Sequence, residues 1–261
     1  MKPNGKKILT DAGGAANNLL RLAGYPDTIE QAVEKIVSHL LIDVSVGPTD
    51  LAALQPKLNI CDIQYADIPF SGELRRHKRR LKIICSVDLS EERRRFTIAH
   101  EMGHAVFESL GREPKHSEPE LERLCDMLAA EILMPRQIFL DKLGSDVTIS
   151  QLFQLKHLFQ VSLRAIAFRC FSLRKLSIFE YEADEVKWGC GIVKKESGID
   201  FGLRLAVEDA VNQPTGAMEV FYNERGETHM GELSWSRISK SRTLFLLTRS
   251  NQKAMVTGPH F

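Results

Sequence analysis

The stretch FTIAHEMGHAVFESL, Phe96–Leu110, decides the reading of this 261-residue chain. It carries two histidines four residues apart, with a glutamate directly after the first. Apolar and small residues surround them: Phe96, Ile98, Ala99, Met102, Gly103, Ala105 and Val106. Ser90 is a helix N-cap, Glu91 and Glu92 follow in the first turn, and Gly111 is a stop signal. The HEMGH core therefore falls in mid-helix. There, residues i and i+4 stand about 40° apart, one turn above the other. His100 and His104 can aim two imidazole nitrogens at one point, and zinc takes such nitrogens at about 2.0–2.1 Å in a tetrahedral set. Glu101, rotated about 100° from His100, is placed to reach a water bound to the ion rather than the ion itself, the position of a general base. Five residues of this kind also arise by chance. A largely apolar helix carrying two histidines and a glutamate with no partners would, however, bear an unexplained polar cost.

A catalytic zinc needs a third protein ligand and an open position. Glu122 is the leading candidate, 18 residues after His104 on a second expected helix, ELERLCDMLAAEILM, which begins near Pro119 and stops at Pro135. Asp126, one turn further along the same face, is spaced to orient a histidine through its second nitrogen. Glu108 lies two turns from His100, and Glu131 lies about 180° around the helix from Glu122. His116, in the intervening polar loop, is a further candidate for zinc or substrate.

Outward from this core, composition sets the frame. Net charge is +1 and 43% of residues are hydrophobic, so the chain can build a core and carries no bulk charge that demands nucleic acid. Five widely spaced cysteines without a CxxC fit reduced thiols better than a disulfide framework. No apolar run approaches the roughly 18 residues of a membrane span, so the expectation is a cytoplasmic protein with no membrane partner. TIEQAVEKIVSHLL (Thr28–Leu41) has a capping box at Thr28 and Gln31 and one apolar face. IDVSVGP reads as a short strand, Thr49–Gln55 as a short helix, and Asn59–Val87 as two or three antiparallel strands. Val147–Leu173 has the outline of a helix-turn-helix, although LRAIAFRCF offers only Arg164 and Arg169 to read bases or phosphates. From Ser177 on, short apolar runs alternate with turns, with a helix near Leu203–Val211. The expected fold class is α+β: a zincin-like peptidase domain of helices on a small antiparallel sheet (1–145), a helix-turn-helix-like segment (146–176) and a β-rich domain (177–261).

On RRRFTIAHEMGHAVFE, on SGELRRHKRRLKIICSV and above all on ELERLCDMLAAEILMP, the chain resembles the ImmA/IrrE-type metallopeptidases. The resemblance covers about Asp43–Pro135. It places the third ligand on Glu122, with Asp126 where the family often has Asn and Leu128 where it usually has Phe. It implies a zinc endopeptidase that cleaves a helix-turn-helix repressor or antitoxin, relieving repression of stress, DNA-damage or antiphage-defence genes. It also implies a GAF-like sensory module in the C-terminal stretch. For the oxyanion or substrate contact, Tyr65, His77 and His116 stand open. The run RRHKRR, with Arg75, Arg76, Lys78, Arg79 and Arg80, reads either as a patch for single-stranded DNA or an acidic partner, or as a solvated turn between strands. The plain turn is favoured. One of Cys61, Cys85 and Cys125 as a reversible zinc ligand is a further candidate, against the default of buried structural thiols. The rival functional reading is a DNA-binding regulator with a structural or vestigial metal site.

Overall fold

The structure, a computed structural model, describes residues 14–42, 48–109, 119–182, 185–191, 207, 213–224 and 227–249. Among these it is α+β, with eight α-helices and two sheets. The chain divides into two compact units, residues 1–139 with 158–162, and residues 140–157 with 163–261.

In the first unit, helix α1 (Gly14–Leu22) precedes α2 (Ile29–Leu40), whose N-cap Thr28 accepts a bond from the Gln31 N–H. The Gln31 side chain reciprocates to the Asp27 N–H, one residue earlier than in the usual capping box. Asp50 caps the four-residue helix α3 (Leu51–Leu54), and a 3₁₀ turn, Pro56–Leu58, leads into the sheet. Strands β1 (Ile60–Ala66), β2 (Gly72–His77) and β3 (Arg80–Ser86) take the order β1-β3-β2.

Of the two or three antiparallel strands expected, two are so paired: β2 and β3 form an antiparallel hairpin, whereas β1 and β3 run parallel. The loop of residues 67–71 crosses above β3 and delivers β2 to the far edge. Two strand spacings are about 9.6 Å, which five residues span easily. The physical reason lies in composition. RLKIICS buries Leu81, Ile83, Cys85 and Ser86 and takes the centre, while the charged GELRRH occupies an edge, where charges discourage pairing with other chains.

Helix α4 (Glu91–Glu108) lies against this sheet on one side and against α5 (Pro119–Leu133) on the other. It is buried almost all round from Thr97 to Phe107, as expected of a central rather than a surface helix. Ser90 caps it as its sequence implies, accepting from the Arg93 N–H. Its last helical residue is Glu108; Gly111 lies outside the described residues, as do His116, most of the IDVSVGP segment and most of Leu203–Val211. Helix α5 opens on Pro119 and buries Leu121, Cys125, Leu128 and Ile132 in one stripe. Helix α6 (Arg136–Leu143) follows Pro135.

The second unit holds most of α7 (Ile149–Phe159), all of α8 (Leu163–Arg174) and a five-stranded antiparallel sheet. Its strands are β4 (Ser177–Glu182), β5 (Glu185–Cys190), β6 (Thr215–Glu224), β7 (Glu227–Arg237) and β8 (Arg242–Arg249), in the order β5-β4-β8-β7-β6. Gln160, at φ 51°, makes the turn between α7 and α8. Helix α8 packs on β4 and β5, burying Ile166, Ala167, Arg169 and Cys170. Phe179 stacks on Phe245 with ring centroids 4.8 Å apart, inside a core that includes Trp235 and Tyr222. No described helix is long and apolar enough to cross a membrane.

Candidate metal centre

Two helices build the site. On α4, His100 and His104 lie one turn apart, edge to face, with ring centroids 5.0 Å from each other. On α5, Glu122 in the first turn reaches both: its Oε2 lies 3.1 Å from His100 Nε2 and its Oε1 lies 3.5 Å from His104 Nε2. The helices come this close because of Gly103. A Cβ there would meet Cys125 Cα at 3.0 Å and the Cys125 carbonyl oxygen at 3.2 Å. The expectation that Gly103 clears space between the histidines is thus refined: it clears space for the α5 backbone.

Asp126 Oδ1 accepts from His100 Nδ1 at 2.9 Å, so the ring's other nitrogen is turned toward Glu122. Burial alone would lower the His100 pKa. The Asp126 hydrogen bond and the charges of Glu101, Asp126 and Glu122 outweigh burial and leave it raised. Glu101 is buried, and burial, opposed by the nearby His100 and reinforced by Glu122, pushes its carboxyl up to about 7. The Leu74 backbone lends it one hydrogen bond, while its Oε2 is buried with no hydrogen-bond partner among the described residues. Gly72 opens the space beside it: a Cβ there would stand 3.5 Å from Glu101 Oε1 and collide with Thr97. Sequence reasoning missed both Gly72 and Leu74. A glycine at the head of an edge strand was the available signal for a close approach.

The donor set fits a metal ion. Ligand atoms of His100, His104 and Glu122 all lie within 4.8 Å of one another. Bonds of about 2.0–2.2 Å in a tetrahedron separate neighbouring ligand atoms by about 3.4 Å, close to the 3.1 and 3.5 Å found. These three residues could therefore hold a metal ion.

The rival carboxylates are committed elsewhere. Glu108 is 2.6 Å from Arg76, and Glu131 accepts from the Arg136 N–H at 2.8 Å, at the start of α6. Among the described residues no cysteine joins the cluster; Cys125 is fully buried, and burial, with Glu122, Glu101 and Asp126 nearby, pushes its thiol pKa well up. Tyr65 pairs across the sheet with Cys85, which pairs with Gly72, so it belongs to the site's end of the sheet two strands away. There it lies exposed beneath the Arg94 guanidinium, 5.1 Å from the ring centroid. His77 ends β2, five residues from Gly72 and so about 17 Å along the strand; the structure does not bring it to the histidine pair. In the basic run, Arg75 pairs with Glu73, Arg76 with Glu108, and Arg80 donates to the Ile60 carbonyl. Lys78 and Arg79 form the hairpin tip, with Lys78 at φ 58°.

A paired-histidine helix met by a carboxylate from the next helix is the ligand arrangement of a metallopeptidase-type site. Residues 57–171 match the model of the IrrE N-terminal-like domain, Peptidase_M78. No curated protein sequence matches the chain. Among solved structures it is similar to a Mycobacterium tuberculosis transcriptional regulator, at 15% identity and a TM-score of 0.55, over 90% of this chain and 80% of that one. That likeness is one of fold.

Proposed function

We propose that the chain is a zinc-dependent endopeptidase that cuts a helix-turn-helix repressor or antitoxin and so relieves repression of stress, DNA-damage or antiphage-defence genes. The observation that carries the reaction is the bare, buried Glu101 Oε2 beside the His100–His104–Glu122 cluster. His100 Nε2, His104 Nε2 and a Glu122 oxygen would hold the ion. A divalent ion there supplies Lewis acidity, acidifying water and polarising a peptide carbonyl. Glu101 takes the proton of the attacking water at Oε2 and delivers it to the departing amide nitrogen. Burial favours the protonated form of Glu101, which helps the carboxylate take up the proton that a shuttle must carry. Asp126 keeps the His100 ring fixed through Nδ1. Tyr65 is the remaining described candidate for a substrate contact. The regulatory substrate is supported by the family resemblance, and a cytoplasmic setting by five free cysteines.

The rival reading, a DNA-binding regulator, draws on the regulator of similar fold and on the α7–α8 pair. Against it, Arg169 is buried, which leaves Arg164 as the exposed member of the expected pair of readers, with its guanidinium over Phe168. A recognition helix needs a polar exposed face. The deciding experiment incubates the zinc-loaded chain with a helix-turn-helix protein encoded beside it. A single cut, stopped by chelation and absent with Glu101→Gln although zinc is retained, is expected. Cutting that persists undiminished with Glu101→Gln removes Glu101 from the reaction, and operator binding without any cut favours the regulator.

A further inference from the structure

Away from the histidine pair, the first unit carries a half-open cavity of about 670 Å³. Three separate segments deliver basic side chains to it. Lys35 and His39 come from α2, Lys57 from the 3₁₀ turn, and Arg76, Lys78, Arg79 and Arg80 from the β2–β3 hairpin. The last turn of α4 supplies Glu108, the one acidic residue among the described residues of the lining. Leu22, Ile36, Leu58 and Val106 make an apolar wall.

Half of the lysines and arginines have a structural duty. Lys57 holds the Leu40 and Ile42 carbonyls, Arg76 holds Glu108 and Arg80 holds the Ile60 carbonyl. Lys35, Lys78 and Arg79 do not: among the described residues their charged groups have no ion-pair or hydrogen-bond partner. Lys35 Nζ lies beside Gly24, which follows α1 at φ +76°.

We propose that this cavity binds a small phosphate-bearing molecule of nucleotide size. Cations that converge from distant points of the chain and lack counter-charges suit a polyanion. The volume lies within the 300–1,000 Å³ typical of small-molecule sites, and the apolar wall suits a base or similar flat body. The Arg76–Glu108 pair is part of its lining, so an anion seated there competes with Glu108, on the helix that carries His100 and His104, for the same guanidinium. The proposal does not depend on the peptidase reading.

Calorimetric titration of the full chain with ATP, sodium tripolyphosphate and adenosine tests it, at about 50 and 200 mM salt. ATP is expected to bind tighter than either fragment, and more weakly at the higher salt. Lys35→Gln and Arg79→Gln, both at exposed positions that leave the core intact, should each weaken ATP binding roughly fivefold to tenfold. Arg93→Gln, an exposed position outside the cavity lining, should leave it unchanged. The proposal is overturned by no ATP binding at low salt, by adenosine binding as tightly as ATP, or by an Arg93→Gln effect equal to the other two. It is also overturned if an oligothymidine strand binds with the same variant sensitivity and ATP does not displace it, which would assign the charge to a nucleic-acid track.

Discussion

The two units each bury a glutamate to almost the same depth, and the two carboxylates are treated in opposite ways. Glu101 of the first unit is 6% exposed and Glu180 of the second is 4% exposed. Glu180 is saturated: Arg242 grips it with Nε at 2.8 Å and Nη2 at 2.9 Å, and Trp188 Nε1 adds a third bond at 3.2 Å. Glu101 has the Leu74 backbone and an empty-handed Oε2. A buried carboxylate without partners costs free energy, whereas a forked one can repay its desolvation. Burial alone therefore does not separate the two carboxylates; the count of satisfied lone pairs does, and the proposed chemistry falls on the unsatisfied one. Glu108 and Glu131, also held by named partners, fall on the scaffold side.

The sharpest way to break this contrast is Glu101→Gln. Cleavage should fall by about 10²–10⁴, the usual contribution of a general base, while zinc content measured by emission spectrometry stays the same. Asp126→Ala comes next. With Nδ1 of His100 released, metal affinity should drop about 10–100-fold in a chelator competition, with secondary structure unchanged because Asp126 is exposed. Arg242→Ala should leave cleavage per folded molecule intact yet cost about 1–3 kcal/mol in a denaturant titration, since it strands the buried Glu180 carboxylate. An activity loss in the absence of unfolding would break the division of roles between the two carboxylates.

Much of the frame was legible from local signals. Thr28, Ser90 and Pro119 mark helix starts that the structure keeps, and the 3.6-residue spacing of Leu121, Cys125, Leu128 and Ile132 gave the buried face of α5. The same spacing carried Glu122 and Asp126 to one side and sent Glu131 to the other, and the geometry agrees. What escaped depends on contacts between distant segments. Strand polarity turned on a five-residue loop that vaults the central strand, which periodicity cannot see. The role of Gly103 needed the position of Cys125, that of Gly72 needed Thr97, and the charge of Lys35 gained meaning only beside Arg79. The basic run looked like a single feature in sequence, yet its members split between ion pairs and a cavity wall.

The smallest expected effect separates a metal site from a proton-binding one. In the metal-free chain Glu101 has a folded pKa of about 7, above its ordinary 4.5. The folded state then binds more protons than the unfolded state between those values, so stability falls as pH rises from about 4.5 to 7. His100, also raised, contributes stability that is complete below its ordinary 6.5 and is lost as pH climbs through the higher folded value. Both groups act in one direction, and chelated protein should lose about 1–3 kcal/mol between roughly pH 5 and 8. Glu101→Gln should flatten the lower part of that slope, whereas Arg242→Ala should leave it unaltered. Zinc-loaded protein should show the reverse slope, because the ligating imidazoles and carboxylate must be deprotonated to bind the ion. Melting curves with and without chelator should therefore diverge as pH rises. Parallel curves would mean that no ion binds among His100, His104 and Glu122, and the contrast between a scaffold carboxylate and a reactive one would lose its chemical basis.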